Sequence, residues 1–231
     1  MAAAKRATSP EAQEKAAAEA ALRLAGREGW RRVRLEAVAE EAGLTLGALR
    51  TLARDKTDLL VLFLKHVDAE VLAEDAGFQP EDSVRDRLFD LLMRRLDGLE
   101  PFKPGVQSSV EETLRDPLAL LVLGPADLRA LSWYLEAAGV SADGPLGALR
   151  VKGLAAIWLS TLRTWFADES PDLSKTMKTL DQGLARAEAA AGWIEGRGPR
   201  DRRAAADAED GASPEGEAED GRTAGEDPGE R

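Results

Sequence analysis

One stretch of the chain, Leu35 to Leu60, restricts the possible folds more than any other. Leu35, Val38 and Ala39 would share one face of a short helix. Gly43 is placed to end that helix in a left-handed conformation, and Thr45 could N-cap a second helix directly after it. The stretch therefore predicts a helix-turn-helix that leads into a third helix.

The remaining sequence also predicts helices, which gives an all-α fold. Gly29 ends the first helix, and Trp30 is expected to fold back into the core because residues of its size usually bury. Apolar periodicity, caps and breakers predict helices over 10–27, from Asp55 onward, from Ser83 to about Gly98, and over 106–115, 117–123, 126–138, 145–167 and 172–193.

The residue inventory argues against an enzyme. The chain has no cysteine and one histidine, His66, so it lacks the parts of a disulfide framework, a cysteine zinc site or a histidine-rich metal site. Carboxylates are plentiful, but no Glu-x-x-His spacing and no glycine-rich phosphate loop occurs. We therefore predict no catalytic residues, no metal site and no cofactor.

Charge is distributed unevenly along the chain. The net charge is -11, but residues 196–231 contain 11 acidic and 6 basic residues without apolar periodicity, which predicts a disordered acidic tail. Between Ala21 and Lys56 the balance reverses to 8 basic against 5 acidic residues. The amino-terminal part should therefore carry a modest positive field despite the acidic total.

These patterns predict a five-part organisation. The expected parts are a flexible basic arm over 1–9, a helix-turn-helix domain over 10–54, a connector helix over 55–76, a larger helical domain over 77–195 and the tail over 196–231. The amino-terminus lacks an apolar signal core, and we found no run of about 18 to 20 apolar residues. We therefore expect a cytoplasmic protein without membrane insertion.

The helix-turn-helix stretch resembles the tetracycline-repressor (TetR) family of bacterial transcriptional regulators. That family typically has an Ile-Ala-x-x-Ala-Gly-Val-Ser segment, then Gly-x-Leu-Tyr-x-His-Phe, then Ser-Lys-Glu-x-Leu-Leu. Here Val38 to Thr45 matches the first segment, Gly47-Ala48-Leu49 the second and Asp55 to Leu60 the third, without insertion or deletion. The resemblance covers roughly residues 12–72 at the level of motifs.

The resemblance implies a regulator that binds double-stranded operator DNA as a homodimer and responds to a small ligand. The larger domain would hold the ligand and dimerise through helices 145–167 and 172–193. The apolar residues of helix 145–167 cover most of its circumference, as expected for a helix buried on more than one side. Its composition also favours an apolar effector or a lipid.

The candidate DNA-contacting residues depart from the family pattern. Leu46, Arg50, Leu52 and Ala53 stand where Lys, Tyr, His and Phe are usual, so phosphate contacts would depend on the remaining cations. Arg31, Arg32 and Arg34 could instead belong to a solvated loop. The full set of candidates is Lys5, Arg6, Arg31, Arg32, Arg34, Thr45, Leu46, Gly47, Ala48, Arg50, Thr51, Arg54 and Lys56.

The larger domain leaves two interpretations open. Candidate pocket-lining residues are Met93, Phe102, Trp133, Trp158 and Trp165, although such residues at helical spacing are often ordinary core. Trp133-Tyr134 and the Trp165 to Asp172 segment are also similar to a TetR-like branch of lipid-binding proteins in ubiquinone biosynthesis. That similarity gives the alternative, an accessory lipid-binding protein that does not bind DNA.

Overall fold

The structure is a computed structural model that describes residues 9–73, 77–79 and 81–194. The chain divides into two compact units, residues 1–188 and 189–231, and the second unit is described only to residue 194. All regular elements in the described ranges are helical, which confirms the all-α prediction. The predicted tail and most of the predicted arm, including Lys5 and Arg6, lie outside the described residues.

The helices follow the predicted order, with one difference at residue 125. They are α1 (Pro10–Glu28), α2 (Leu35–Glu41), α3 (Leu46–Leu52), α4 (Lys56–Ala73), α5 (Val84–Leu99), α6 (Lys103–Thr113), α7 (Pro117–Ala137), α8 (Gly144–Ala167) and α9 (Ser174–Ile194). Short 3-10 turns occupy Trp30–Arg32 and Glu100–Phe102.

Local hydrogen bonds explain where several helices begin. The side chains of Ser9, Thr45, Ser83 and Asp116 accept hydrogen bonds from backbone N–H groups in the first turns of α1, α3, α5 and α7. These side chains satisfy N–H groups that have no partner within the helix. The predicted cap at Thr45 and the predicted helix start at Ser83 are therefore confirmed, and Asp116 caps the helix that was predicted to begin at residue 117.

Helix α1 is the centre of the amino-terminal packing. Its buried face is made mainly of alanine, which allows neighbouring helices to approach closely. A Cβ added at Gly105 of α6 would lie 2.1 Å from the backbone oxygen of Leu22, so α6 lies directly against α1. Trp30 is buried as predicted, and its backbone N–H donates to Ser108 Oγ at 2.8 Å. These contacts join the helix-turn-helix to α6.

The prediction of a helix break at Gly124-Pro125 is wrong, because α7 continues through both residues. Pro125 has no N–H, which removes one i→i−4 hydrogen bond, the one to the Leu121 carbonyl. Leu121 is 72% exposed, so water can reach this part of the helix. The Asp116 cap and the buried carboxyl-terminal half of α7 anchor the helix on both sides of the proline.

The continuity of α7 also changes the expectation that no helix is long and apolar enough to span a membrane. Across the described part of the chain, α7 is the helix that is long and apolar enough to cross a bilayer by length and composition. The sequence prediction missed it because it divided this segment at Pro125. Leu131, Tyr134 and Leu135 of α7 are buried among the protein's own helices, but only 22% of the apolar window of α7 is buried, which is less than in an ordinary core helix.

Candidate nucleic-acid interface

The turn between α2 and α3 has the geometry predicted from its glycine. Gly43 has φ +68°, a region that side chains other than glycine rarely adopt. The Leu44 N–H donates to the Ala39 carbonyl at 2.8 Å, and the Gly43 N–H donates to the Glu40 carbonyl at 3.0 Å. These bonds satisfy the last carbonyls of α2 and fix the direction in which α3 leaves the turn.

Helix α3 presents a mixed polar and apolar face to solvent. Leu49 anchors it in the core, and Leu52 is half-buried rather than exposed. Gly47, Arg50 and Thr51 are exposed, and Leu46 is 48% exposed. A surface of this kind can contact base edges through Arg50 and a thymine methyl group through Leu46 or the half-buried Ala48.

The two threonine hydroxyls of this motif take part in local bonds. Thr45 Oγ1 accepts from the Ala48 N–H at 3.1 Å, and Thr51 Oγ1 donates to the Ala48 carbonyl at 2.7 Å. Thr45 therefore keeps a hydroxyl hydrogen to donate, whereas Thr51 keeps lone pairs that can accept.

Three arginines near α3 carry positive charge that nothing in the described structure neutralises. The exposed side chains of Arg31, Arg32 and Arg50 form no ion pair and no side-chain hydrogen bond with other described residues. Arg34 lies 3.6 Å from Glu36, and both side chains are largely exposed. Contacts of that kind contribute little in water, so all four remain available to a polyanion.

Arg54 and Lys56 have structural partners. Arg54 binds both carboxylate oxygens of Asp58, at 2.8 and 2.9 Å, and this pairing raises the pKa of Arg54 while its side chain stays 84% exposed. Lys56 Nζ donates to the Trp30 carbonyl at 2.8 Å, and burial lowers the pKa of Lys56. Lys56 therefore holds the arginine-bearing turn against the start of α4.

Asp55 caps α4 as predicted, but its partner Asp58 acts differently from the prediction. Asp55 Oδ1 accepts from the N–H groups of Thr57 and Asp58. The three-residue spacing of Asp55 and Asp58 in the sequence predicts a capping box, in which Asp58 would accept from the N–H of the capping residue Asp55. It accepts instead from the N–H of Arg54, one residue earlier, at 2.9 Å. This bond fixes the short loop between α3 and α4.

The five candidate pocket residues lie in different environments. Trp158 and Trp165 are buried in the core, Met93 and Phe102 are half-buried, and Trp133 is 61% exposed, so Trp133 does not line an interior pocket of the single chain. Trp165 Nε1 donates to Glu100 Oε2 at 2.7 Å. Phe102, alone among the five, contributes to a small cleft between α1, α4 and the end of α5.

A buried polar cluster that the sequence reasoning missed joins the connector helix α4 to α5, α7 and α8. Arg95 of α5 is fully buried, with its Nε 2.8 Å from Asp68 of α4 and its Nη2 2.9 Å from Asp127 of α7. The Tyr134 hydroxyl donates to Asp68 at 2.9 Å, and the Arg95 guanidinium lies 4.6 Å from the ring centre of Trp158 on α8.

The charges in this cluster keep the arginine ionised. Burial alone would lower the pKa of Arg95, but the Asp127 and Asp68 carboxylates outweigh burial and raise it. Burial and the neighbouring Asp68 charge raise the pKa of Tyr134, which therefore stays a hydroxyl donor. The members of the cluster are single polar residues on different helices, which produce no periodic pattern in the sequence. Only their proximity in the structure identifies the cluster.

Of the two helices predicted to form a dimer seam, α8 leaves large apolar side chains exposed. One face of α8 is buried through residues such as Val151, Leu154 and Leu162, while Leu149 and Leu159 on its other face are exposed. Helix α9 keeps Leu180 and Leu184 inside. No group of three or more His, Asp and Glu side chains that could hold a metal ion was found in the described ranges.

Comparison with known proteins gives structural but not sequence relatives. No protein-family model matches the sequence, and no curated protein matches it. The structure matches a TetR transcriptional regulator from Nitrosomonas europaea ATCC 19718 with 25% identity and TM-score 0.63, over 76% of this chain and 97% of that chain.

Two further solved structures show the same fold. A TetR transcriptional regulator from Rhodococcus sp. RHA1 matches with 24% identity and TM-score 0.53, over 77% of this chain and 97% of that chain. A TetR-family transcriptional regulator from Streptomyces coelicolor matches with 18% identity and TM-score 0.56, over 84% and 89%. The likeness therefore extends well beyond the helix-turn-helix.

Proposed function

We propose that this chain binds operator DNA as a homodimer, and that a small apolar molecule changes its affinity for that DNA. The chain has the fold of the TetR family of transcriptional regulators. The fold supports a role in regulation. We further propose that the protein acts in the cytoplasm, without a cofactor and without enzymatic activity.

The unpaired arginines beside α3 support the DNA-binding proposal most directly. Arg31, Arg32 and Arg50 are exposed, and no described side chain neutralises them. Phosphate contacts supply much of the affinity of DNA-binding proteins, and arginine forms two parallel bonds to phosphate or guanine. The net negative charge of the chain does not oppose this role, because residues 21–56 contain 8 basic against 5 acidic residues.

The exposed residues of α3 would have separate roles. Arg50 would read a guanine in the major groove, whereas Leu46 and Ala48 would contact thymine methyl groups. Thr45 would donate to an acceptor on the DNA, because its hydroxyl oxygen already accepts from the Ala48 N–H. Thr51 would accept from an adenine or cytosine amino group, because its hydroxyl hydrogen is already donated to the Ala48 carbonyl. Gly47 would let the α3 backbone approach the DNA closely.

Arg31, Arg32, Arg34 and Arg54 would contact phosphates and set the orientation of α3 without reading sequence. The Lys56 contact to the Trp30 carbonyl would place the first three of these correctly. Lys5 and Arg6 would add contacts from the amino-terminal arm.

Dimerisation would place two copies of α3 in successive major grooves, about 34 Å apart. The exposed leucines of α8 support pairing through α8 and α9, because a partner would remove them from water. A ligand that prefers a different spacing of the two reading heads would then shift the population away from the DNA-bound form.

The test is DNA selection from genomic fragments, followed by affinity measurements at several salt concentrations. If Arg31, Arg32, Arg34 and Arg54 of each protomer contact phosphates, the slope of log K against log salt should be about -7 for the dimer, and contacts from Lys5 and Arg6 would make it steeper. Arg50→Ala should abolish selective binding, whereas the exposed Arg129→Ala on α7 is the matched control. Absence of binding at low salt, or equal loss in both variants, would contradict the proposal.

An exposed apolar surface favours a second candidate, a lipid-binding accessory protein. Leu118, Leu121 and Val122 lie at helical spacing in the first turns of α7, and Leu118 and Leu121 are 74% and 72% exposed. Such a surface is unusual on a monomer and can mark a contact with lipid or with another protein. Lipid that co-purifies in native mass spectrometry, with no DNA selected by the same sample, would favour this candidate.

A further inference from the structure

A small cleft separates the helix-turn-helix region from the larger domain. It lies where α1 and α4 meet the end of α5, and its volume is about 50 Å³. Phe63 and Val67 of α4 and Phe102 form its apolar side. The two phenylalanine rings meet edge to face, with centroids 5.0 Å apart and an interplanar angle of 72°.

The apolar side of the cleft is tightly supported. A Cβ added at Gly98 would lie 2.9 Å from Val67 Cγ1, so α5 already approaches α4 as closely as packing allows. Phe63 is buried, and Phe102 is held between α5 and α6 by its place in the 3-10 turn. The cleft can therefore keep its shape when it is empty.

His66, the chain's single histidine, lines the cleft with a buried nitrogen that has no partner. Within the described structure no group forms a hydrogen bond with its Nε2, and Glu14 Oε2 is too distant at 3.9 Å. A buried polar atom without a partner is unfavourable, so a ligand that supplies a hydrogen bond to Nε2 gains affinity there.

The rim of the cleft carries two carboxylates, those of Glu19 and Glu70, and one ammonium group, that of Lys15. Lys15 of α1 forms an ion pair with Glu70 of α4 across the mouth, and Glu19 on the rim also binds Arg23 at 3.2 Å. Glu14 adds a further carboxylate beside His66. The rim thus combines hydrogen-bond acceptors with negative charge, which favours a cationic donor group over an anion.

We propose that this cleft binds the ammonium head of a small aliphatic amine. The ammonium group would donate to Nε2 of His66 and to the carboxylate of Glu70, while its first methylenes contact Phe63 and Phe102. Aromatic faces also attract cations, and the limited volume selects an unbranched head group. The rest of the amine would leave through the mouth beside Lys15.

The site connects α1, which packs against the helix-turn-helix, with α4, the predicted connector. An occupant would separate these helices slightly and break the ion pair between Lys15 and Glu70. Any resulting change in operator affinity rests on the proposed function, whereas the binding site itself does not.

The experiment uses the full, untagged chain, in which His66 gives the only histidine imidazole signals in the NMR spectrum. Propylammonium chloride is titrated against the protein at constant pH and ionic strength. We expect a saturable shift of the His66 ring signals. Propanol, which has a similar shape without charge, should bind about tenfold more weakly, as expected for loss of a charged hydrogen bond.

Variants separate site binding from a general salt effect. Glu70→Gln should weaken propylammonium binding about threefold, because an exposed charge contributes modestly, and Glu28→Gln on an exposed part of α1 is the matched control. Thermal unfolding checks that both variants fold. A linear shift equal to that caused by sodium chloride, or equal affinity in both variants, would overturn the proposal regardless of whether the protein binds DNA.

Discussion

Replacing Asp68 with alanine should destabilise the protein more than any single surface change. Asp68 is only 8% exposed, and its carboxylate accepts hydrogen bonds from both Arg95 and the Tyr134 hydroxyl. Without it, Arg95 would retain Asp127 as its remaining carboxylate partner, and the buried Tyr134 hydroxyl would lose its acceptor. The buried guanidinium cannot reach water, since its side chain is only 1% exposed.

The expected cost follows from these losses. Removing one partner of a buried ion pair typically costs about 3 to 5 kcal/mol, because a charge stays buried without compensation. Asp127 still offsets part of the Arg95 charge, which favours the lower end, and the unpaired Tyr134 hydroxyl adds to the cost. We therefore expect a loss of about 3 to 4 kcal/mol, a large share of the roughly 5 to 15 kcal/mol that stabilises a typical domain.

Urea unfolding monitored by circular dichroism and tryptophan fluorescence would measure this loss. Asp181→Ala is the matched control, because Asp181 pairs with Arg85 at a much more exposed position and should cost under about 1 kcal/mol. Replacing Asp68 with leucine, Arg95 with methionine and Tyr134 with phenylalanine together should recover most of the loss, since apolar groups can substitute for buried ion pairs and the remaining Asp127 side chain is 27% exposed. A cost below about 1 kcal/mol for Asp68→Ala would refute the reasoning.

Three further predictions test other parts of the structure. Thr45→Ala should lower stability by about 1 kcal/mol, measured by urea unfolding, because it removes the cap of α3; an unchanged midpoint would contradict the cap's role. Gly105→Ala should cost about 3 kcal/mol or more, since its Cβ would meet the Leu22 oxygen at 2.1 Å, whereas Gly124→Ala, with nothing within 4 Å, should be neutral or stabilising by up to about 1 kcal/mol. Hydrogen bonds from Ser170 and Thr176 lower the pKa of Asp168 from its ordinary 3.8, so the ionised carboxylate stabilises the folded state. This stabilisation is present above pH 3.8 and is lost as the pH falls below it. Between about pH 7 and pH 3 the urea midpoint of unfolding should therefore fall more for the parent chain than for Asp168→Asn. Parallel curves of midpoint against pH for the two proteins would contradict this prediction.

Several features of the fold could be predicted because they depend on neighbours in the sequence. Caps such as Thr45 and Ser83 bond to backbone groups three residues away, and Gly43 meets a conformational requirement of its own position. Apolar periodicity likewise predicts which face of a helix is buried, as Val38 and Leu49 show. Such signals need no knowledge of distant contacts.

The continuous path of α7 shows where local signals fail. Gly124-Pro125 is a strong breaker by itself, yet distant packing of Leu131 and Tyr134 anchors the helix beyond it. The cost of one missing hydrogen bond is small when its carbonyl is open to water and the rest of the helix is held by tertiary contacts.

The candidate DNA-contacting residues could be listed from the sequence, but their availability could not. Lys56 and Arg50 are both cations in the same motif. Only the structure distinguishes Lys56, which is bound to the Trp30 carbonyl, from Arg50, whose side chain has no partner among the described residues. Trp133 and Trp158 similarly looked alike as pocket candidates, although one is exposed and the other buried.

The sequence by itself determined the all-α class, the helix-turn-helix and its turn, because these depend on propensity, periodicity and caps within a few residues. The tertiary structure alone decided which charges are paired and which are free, and it brought Asp68, Arg95 and Asp127 together from three helices. Electrostatic pairing and burial depend on distances between residues far apart in the chain, and one sequence does not contain those distances.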